Sequence, residues 1–311
     1  TFNGTPNTVV TYNVDGNSNQ TIALNALGTA TVALTSLTVS STYNLVSIEN
    51  PTTTCSQLLT GSASVTVNPL PTASISGTTS ICSGSTAVIT FNGTPNATVT
   101  YTINGGANQT ILLDASGNAS LTTPALTTNT TYALVSVVTT CTNSATGNAV
   151  ISILSLPTAT ISANTTICSG SSTTIQFNGT PNATVTYTVD GGVNQTVTLN
   201  ASGTASVTTP LLTTNSTYTL VSVASATTPI CTQSQTGASV VTVQALPTAS
   251  VSANTVCSGN AGTVTFTGTP NAVVTYTVNG GANQTISLNA SGNASLTTPV
   301  LTANATYQLV S

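Results

Sequence analysis

Carboxylates and cysteines are the side chains of this sequence that could do chemistry. The four acidic residues are Asp15, Glu49, Asp114 and Asp190, and the chain has no Lys, Arg or His. General acid–base catalysis needs positioned titratable groups with tuned pKa values, and a nucleophile needs a base or a cation beside it. Four scattered carboxylates supply neither, so the sequence predicts a protein that is not an enzyme and that holds no cofactor.

The six cysteines allow two disulfide schemes: they are Cys55, Cys82, Cys141, Cys168, Cys231 and Cys257. No Cys-x-x-Cys pair occurs, so we predict disulfides of an oxidising compartment and no metal site. One scheme bridges each unit of the chain internally, as Cys82–Cys141 and Cys168–Cys231, and leaves the outer two cysteines to other partners. The other joins neighbouring units, as Cys55–Cys82, Cys141–Cys168 and Cys231–Cys257. We favour the first, because bridged Cα atoms must lie within about 7 Å and a proline linker separates the units.

The charge balance argues against two classes of partner. Without Lys or Arg the chain cannot neutralise phosphates, so nucleic acids and anionic membrane surfaces are not expected partners. Apolar residues make up 39% of the chain, but they occur in short alternating runs, so no membrane insertion is predicted. The first residues, 1–4, lack the charged and apolar segments of a signal peptide.

Internal repetition is the strongest pattern in the chain. The motif Phe-x-Gly-Thr-Pro-Asn begins at Phe2, Phe91, Phe177 and Phe266, at intervals of 89, 86 and 89 residues (91 − 2, 177 − 91 and 266 − 177). A unit of about 87 residues is too long for a solenoid repeat and fits an independent sandwich of about seven strands.

The dipeptide Leu-Pro marks the start of each new unit, at positions 70, 156 and 246. We therefore divide the chain into repeat 1 (1–69), repeat 2 (70–155), repeat 3 (156–245) and repeat 4 (246–311). Repeats 2 and 3 are predicted to be complete. Repeat 1 lacks the opening strands of a unit and repeat 4 lacks the closing strand, so we expect either a longer parent chain or completion of these units between molecules.

Local patterns within a unit predict strands and turns only. In repeat 2, Ala87, Ile89 and Phe91 alternate with Val88 and Thr90, as in a half-buried strand. Asn-Gly at position 104 is the strongest short hairpin signal, since both residues tolerate a positive φ. No segment shows a 3.6-residue apolar stripe, so the predicted fold class is all-β, with tandem immunoglobulin-like β-sandwiches.

A second tyrosine in each unit has the spacing of a tyrosine corner. In that motif a Tyr near the start of a late strand hydrogen-bonds to the backbone a few residues upstream. The candidate residues, each six positions after a leucine, are Tyr43, Tyr132, Tyr218 and Tyr307. An ordinary core tyrosine is the alternative, and both interpretations make the residue structural.

Repeat 2 carries the motifs of a known family. The segment 70–141 has the form Leu-Pro-Thr-Ala-x-Ile-Ser, then Ile-Cys-Ser-Gly, then Thr-x-Tyr and Cys. It resembles the immunoglobulin-like or PKD-like repeats of large Bacteroidota cell-surface proteins, including gliding adhesins of the SprB kind. The resemblance implies an extracellular location, export by the type IX secretion route and an adhesive or structural role.

Three functions are therefore weighed. The leading expectation is the stalk or spacer of a secreted cell-surface adhesin, with neighbouring repeats of the same or identical chains as partners. The alternative is a protomer of an extracellular filament or pilus, assembled by strand complementation between repeats. A carbohydrate-binding module is the weakest, because sugar sites generally use exposed aromatic side chains and only 4% of the residues are aromatic.

Overall fold

The computed structural model describes residues 1–310, and every regular element in that range is a β-strand. The chain divides into two compact units, Thr1–Leu154 and a second that begins at Ser155. Repeats 1 and 2 belong to the first unit and repeats 3 and 4 to the second. The predicted all-β, immunoglobulin-like sandwich class is confirmed.

The strands of the first unit are numbered in chain order. Those of repeat 1 are β1 (Phe2–Asn3), β2 (Val9–Val14), β3 (Gln20–Ala23), β4 (Thr29–Ala30), β5 (Ser41–Glu49), β6 (Ser56–Leu58) and β7 (Ser62–Val65). Those of repeat 2 are β8 (Ala73–Ser76), β9 (Thr79–Cys82), β10 (Val88–Gly93), β11 (Thr98–Ile103), β12 (Gln109–Leu112), β13 (Asn118–Thr122), β14 (Thr130–Val138), β15 (Thr142–Ser144) and β16 (Asn148–Leu154).

The strands of the second unit continue the numbering. Those of repeat 3 are β17 (Ala159–Ile161), β18 (Thr165–Cys168), β19 (Thr174–Gly179), β20 (Thr184–Val189), β21 (Gln195–Thr198), β22 (Thr204–Thr208), β23 (Ser216–Ala224), β24 (Thr232–Ser234) and β25 (Ala238–Gln244). Those of repeat 4 are β26 (Ala249–Ala253), β27 (Asn260–Gly268), β28 (Val273–Val278), β29 (Gln284–Ser287), β30 (Asn293–Leu301) and β31 (Tyr307–Leu309).

Repeat 2 is a sandwich of two sheets. One has the strand order β13-β10-β8, and the other has the order β12-β11-β14-β16-β9, with β15 paired to β14. Their inner faces enclose a core in which Ile89, Phe91, Val99, Val137 and Ile151 are each 0% exposed. The alternation predicted for β10 is confirmed, since Val88 is 54% exposed. Repeat 3 repeats this plan, with the orders β17-β19-β22 and β18-β25-β23-β20-β21.

The opening segment of repeat 2 joins both sheets. The sequence pattern of residues 72–81 predicts one continuous first strand. The structure corrects this: it divides the segment at Gly77 into β8, antiparallel to β10, and β9, parallel to β16. Gly77 has a φ of 118°, and a Cβ there would lie 2.6 Å from the Val88 carbonyl oxygen. Only glycine fits such a position, so the chain turns there from one sheet to the other.

Repeats 1 and 4 contain fewer of these strands. In repeat 1, β1 pairs only with β4, and the second sheet has the order β3-β2-β5-β6 with β7 on β5. In repeat 4 the sheets are β26-β27-β30 and β29-β28-β31. The four repeat boundaries themselves stay predictions.

Candidate functional site

Three of the four carboxylates, those of Asp15, Asp114 and Asp190, hold turns. The Oδ1 atom of Asp114 accepts hydrogen bonds from the backbone N–H groups of Ser116 (2.8 Å) and Asn118 (2.9 Å). In the other repeats an asparagine occupies this position, and Asn200, for example, accepts from Ser202 and Thr204 at 2.9 and 3.0 Å. Because an amide oxygen replaces the carboxylate without loss of the turn, the negative charge is not what the position requires.

The hairpin after the second strand of each repeat uses Asp and Asn in the same way. Asp190, with a φ of 52°, accepts from the Thr217 N–H at 2.6 Å, and Asn104, with a φ of 51°, accepts from the Thr131 N–H at 2.7 Å. Both side chains tie the hairpin to a neighbouring strand. The hairpin predicted at Asn104 is present, since β11 and β12 are antiparallel across it.

The cysteines of one repeat lie at opposite ends of its sandwich. Cys82 ends β9 level with Leu154, where the chain leaves repeat 2. Cys141 lies in the β14–β15 hairpin, and the neighbouring Asn143 side chain donates a hydrogen bond to the Pro71 carbonyl at 2.9 Å, where the chain enters. The nine residues of β14 between these ends span roughly 30 Å at about 3.3 Å per residue.

This geometry corrects the favoured disulfide scheme, because a separation of tens of ångströms cannot be bridged within one repeat. The free thiols are Cys55, Cys141, Cys168 and Cys257. Every pair of both predicted schemes includes one of these four, so no predicted pair is formed. The two disulfide-bonded residues are Cys82 and Cys231, and Cys231 is 1% exposed.

Three aromatic rings pack in series through each core. In repeat 2 the ring centroids of Phe91 and Tyr101 are 5.1 Å apart, and those of Tyr101 and Tyr132 are 6.3 Å apart. The candidate corner residues Tyr43, Tyr218 and Tyr307 occupy the same place in their repeats. Their ring packing is structural, and the backbone hydrogen bond of a tyrosine corner stays a prediction.

The hydroxyl group of the first tyrosine in each repeat has a hydrogen-bond partner that was not predicted from the sequence. The Tyr101 hydroxyl donates to Gln109 Oε1 at 3.2 Å, and Tyr187 donates to Gln195 at 3.1 Å. The signal was available, because a glutamine follows this tyrosine by eight residues in all four repeats. Burial raises the pKa of Tyr101 and of Tyr187 above the ordinary value of 10.0.

Repeat 1 contains an apolar groove, here named the repeat 1 groove, of about 410 Å³. Strands β1, β2, β5 and β7 and the segments beside them form its walls. Its lining residues include Phe2, Val10, Leu45, Ile48 and Val65. No charged side chain contributes to the lining. The groove can therefore take an apolar, uncharged occupant.

No cluster of three or more His, Cys, Asp or Glu residues arranged to hold a metal ion is found within residues 1–310. In the same range no helix has the length and apolarity needed to span a membrane.

Comparison with known proteins identifies no family. No protein-family model matches the chain, and the search of curated proteins gave no significant match. Among solved structures, an I-band fragment from titin is similar at 12% identity and a TM-score of 0.42, over 74% of this chain and 88% of that one. A marsupial T cell receptor is similar at 11% identity and 0.38, over 72% and 98%. Alpha-2-macroglobulin of E. coli is similar at 12% identity and 0.28, over 99% of this chain and 28% of that one. The fold assignment rests on the strand order and pairing given above.

Proposed function

We propose that this chain is a non-catalytic spacer in a secreted cell-surface adhesin, where tandem sandwiches hold a terminal binding domain away from the cell. The observation that carries the proposal is the duplication of one complete sandwich. Register pairs of repeat 2, such as Phe91 with Ala119, recur in repeat 3 as Phe177 with Ala205. Because the polar groups that differ between repeats are interchangeable turn acceptors, the repeats keep the fold and not a reactive site.

The disulfide-bonded cysteines support the extracellular location. Cys82 and Cys231 are both disulfide-bonded, and such bonds persist in oxidising compartments. The motifs of segment 70–141 supply the remaining part of the proposal. Their resemblance to repeats of Bacteroidota surface proteins is the reason to propose type IX secretion and an adhesin of the gliding kind.

Surface location is tested on intact cells that produce the protein. An antibody raised against residues 70–155 should label whole cells, and external protease should remove the label. Since the chain has no Lys or Arg, the protease must be one other than trypsin. Labelling that needs cell lysis contradicts the proposal.

The spacer role is tested by changing the number of repeats. Deletion of residues 156–245 from the full-length protein should bring a terminal tag closer to the cell surface by roughly 30 Å, the length of a nine-residue strand. The matched control exchanges repeat 3 for a second copy of repeat 2, which should leave that distance unchanged. Both distances can be measured by immunogold electron microscopy. A deletion that leaves tag distance and adhesion unchanged would mean that the repeats are not a spacer.

A second candidate function is a protomer of an extracellular filament. The chain has only four acidic residues and no Lys or Arg, so few charges oppose edge-to-edge pairing between the sheets of neighbouring molecules. Electron microscopy of the purified chain at high concentration separates the two. Uniform fibres support the filament, whereas single particles at every concentration support the spacer.

A further inference from the structure

The dipeptide Asn-Gly occurs in two different settings in this chain. Its five copies begin at positions 3, 92, 104, 178 and 279. Asparagine is a chemically labile residue, because the backbone nitrogen of the following residue can attack its side-chain amide. Glycine in the following position has no side chain to obstruct the attack. The structural question at each copy is therefore what holds the glycine nitrogen.

In three of the copies the glycine nitrogen is bonded. The Gly93 N–H donates to the Gly117 carbonyl oxygen at 2.9 Å, and Gly4 and Gly179 form the equivalent bonds at the same distance. A Cβ placed on Gly93 would lie 2.1 Å from the Thr72 carbonyl oxygen. This peptide group is both bonded and enclosed, so it has no room to rotate toward the neighbouring asparagine side chain.

The copies at 104 and 279 lie at hairpin tips, where the glycine nitrogen is not bonded. The first tip is closed by a hydrogen bond from the Gly106 N–H to the Ile103 carbonyl at 2.9 Å, and no acceptor for the Gly105 N–H is found within residues 1–310. A Cβ placed on Gly105 would lie in open space. The tip at 279 has the same turn bond and the same open space around its glycine.

The side-chain amide at each hairpin tip is exposed, and a backbone donor holds it. Asn104 Oδ1 accepts from the Thr131 N–H, and Asn279 Oδ1 accepts from the Thr306 N–H, both at 2.7 Å. A nitrogen that attacks Cγ places negative charge on Oδ1. A fixed N–H donor at that oxygen stabilises the developing charge, as in an oxyanion hole.

We propose that Asn104 and Asn279 are sites of spontaneous deamidation. The Gly105 nitrogen forms a bond to Asn104 Cγ, the Cγ–Nδ2 bond breaks, and the amide nitrogen leaves as ammonia with the proton of the Gly105 N–H. The product is a five-membered succinimide, which water then opens. Addition of water at Cγ gives aspartate, whereas addition at the backbone carbonyl gives isoaspartate, with one extra methylene in the main chain. Asn279 reacts in the same way.

The fold already contains the aspartate product. Asp15 and Asp190 occupy this hairpin position in repeats 1 and 3, and each is followed by glycine. The φ values of all four residues are 50–53°. The two carboxylates accept from Thr42 and Thr217 as the asparagines accept from their own partners. Deamidation to aspartate therefore keeps the hairpin acceptor and changes only the charge.

The charge change is large for this chain. The formal net charge would go from −4 to −6, one charge for each of the two asparagines, with no Lys or Arg to compensate. Added carboxylates increase the repulsion between molecules. The proposal does not depend on the spacer role, since it concerns a reaction within one hairpin.

Peptide mass spectrometry of the folded, purified chain tests the proposal. After incubation in mildly alkaline buffer, chymotrypsin separates Asn92 from Asn104 by cleavage after Tyr101. We expect replacement of NH₂ by OH at Asn104 and Asn279, whereas Asn92 and Asn178 keep their amides. A sample digested without incubation gives the background. In urea-unfolded chain the difference between the four sites should disappear, because their dipeptides are identical.

A matched variant adds a site where none exists. Asp190→Asn converts the hairpin of repeat 3 into the form found in repeat 2, and it should deamidate as fast as Asn104. Gly105→Ala should slow the reaction at Asn104 and leave the rate at Asn279 unchanged, because its methyl group obstructs the attacking nitrogen in one hairpin only.

Two results would overturn the proposal. If Asn92 or Asn178 reacts as fast as Asn104 in the folded chain, the dipeptide and not the hairpin sets the rate. If both hairpin amides survive in the folded chain for as long as the unfolded chain takes to react, the hairpin protects the amide instead of exposing it.

Discussion

Repeats 1 and 2 have nearly the same inward-facing residues and different cores. Phe91 and Tyr132 are 0% and 1% exposed, whereas their counterparts Phe2 and Tyr43 are only half-buried. In repeat 2 the strands β8 and β9 complete the two sheets, and residues 1–69 form no strands that correspond to them. Apolar side chains thus define which face is to be buried, but burial is completed only when both sheets have their edge strands.

Truncation of the central phenylalanine should give the largest contrast between the two repeats. Phe91→Ala should lower the free energy of unfolding of repeat 2 by about 3–5 kcal/mol, because it leaves a cavity in a closed core. Phe2→Ala should cost repeat 1 about 1–2 kcal/mol, since the ring is partly solvated already. Hydrogen exchange in urea, followed separately for β10 and β2, measures both. Equal losses would mean that repeat 1 is as closed as repeat 2.

Substitution of the corner glycine by alanine should lower the free energy of unfolding of repeats 1 and 2 by similar amounts. Gly117 and Gly28 have φ values of 80° and 72°, and a Cβ on either would lie 2.1 or 2.2 Å from the carbonyl oxygen of Gly93 or Gly4. Since this corner is the same in both repeats, either substitution should cost at least about 2 kcal/mol. The control Gly105→Ala, with open space around the Cβ, should cost about 1 kcal/mol. A cost at Gly28 well below that at Gly117 would show that repeat 1 lacks the corner.

Alkaline pH should weaken the closed core of repeat 2. Burial raises the pKa of Tyr101, and burial together with the neighbouring Tyr101 raises that of Tyr132, above the ordinary 10.0. Below pH 10 both phenols are protonated in the folded and in the unfolded chain, so their titration costs the fold no stability. Above pH 10 the unfolded chain loses these protons first, so the free energy of unfolding falls as the pH rises through the folded-state pKa. Thermal unfolding at pH 8 and 11 measures this, and Tyr132→Phe should reduce the loss. If the variant loses as much stability at pH 11 as the parent chain, ionisation of Tyr132 is not the cause of the loss.

Loss of the hairpin acceptor in repeat 2 should lower the stability modestly, whereas exchange of the carboxylate for an amide in repeat 1 should leave it almost unchanged. Asn104→Ala removes the acceptor for the Thr131 N–H and leaves an alanine at positive φ, a cost of about 1–2 kcal/mol. Asp15→Asn keeps the acceptor for Thr42 and should change stability by less than about 0.5 kcal/mol. Urea titration checks both. A larger loss for Asp15→Asn would mean that its charge matters.

Alkylation of the cysteine thiols should distinguish the repeats by reaction rate, without a change in the stability of either repeat. Cys55 of repeat 1 is exposed and free, Cys141 of repeat 2 is partly buried and free, and Cys82 is disulfide-bonded. In the native chain Cys55 should react faster than Cys141. Intact mass should show four labels before reduction, one for each free cysteine, and six after reduction and unfolding. Six labels before reduction would contradict the disulfides.

Local sequence predicted the strands and hairpins that depend on neighbouring residues. The alternation around Ile89 and the Asn104 hairpin both follow from side-chain period and backbone preference. The break at Gly77 was missed, because the reason for it is the carbonyl of Val88 on another strand. Long-range contacts of this kind leave no local pattern in the sequence.

The predicted cysteine pairing was wrong for a related reason. The positions of Cys82 and Cys141 in the sequence give no information about which end of the sandwich each occupies. That depends on β9 lying parallel to β16, a pairing between residues about 72 positions apart, for example Thr79 with Ile151. By contrast, the eight-residue spacing of Tyr101 and Gln109 spans a hairpin, so the sequence alone could have predicted their hydrogen bond across β11 and β12.

The parallel pairing of β9 with β16 has a mechanical consequence. Near the entry of repeat 2 the chain forms β9 and at the exit it forms β16, and four residue pairs join them, from Thr79 with Ile151 to Cys82 with Leu154. Tension applied to the two ends draws these strands past each other along their own length. The hydrogen bonds between them lie across that direction, so they must shear together instead of opening one after another. Repeat 2 is thereby closed by the pairing best oriented to resist stretching.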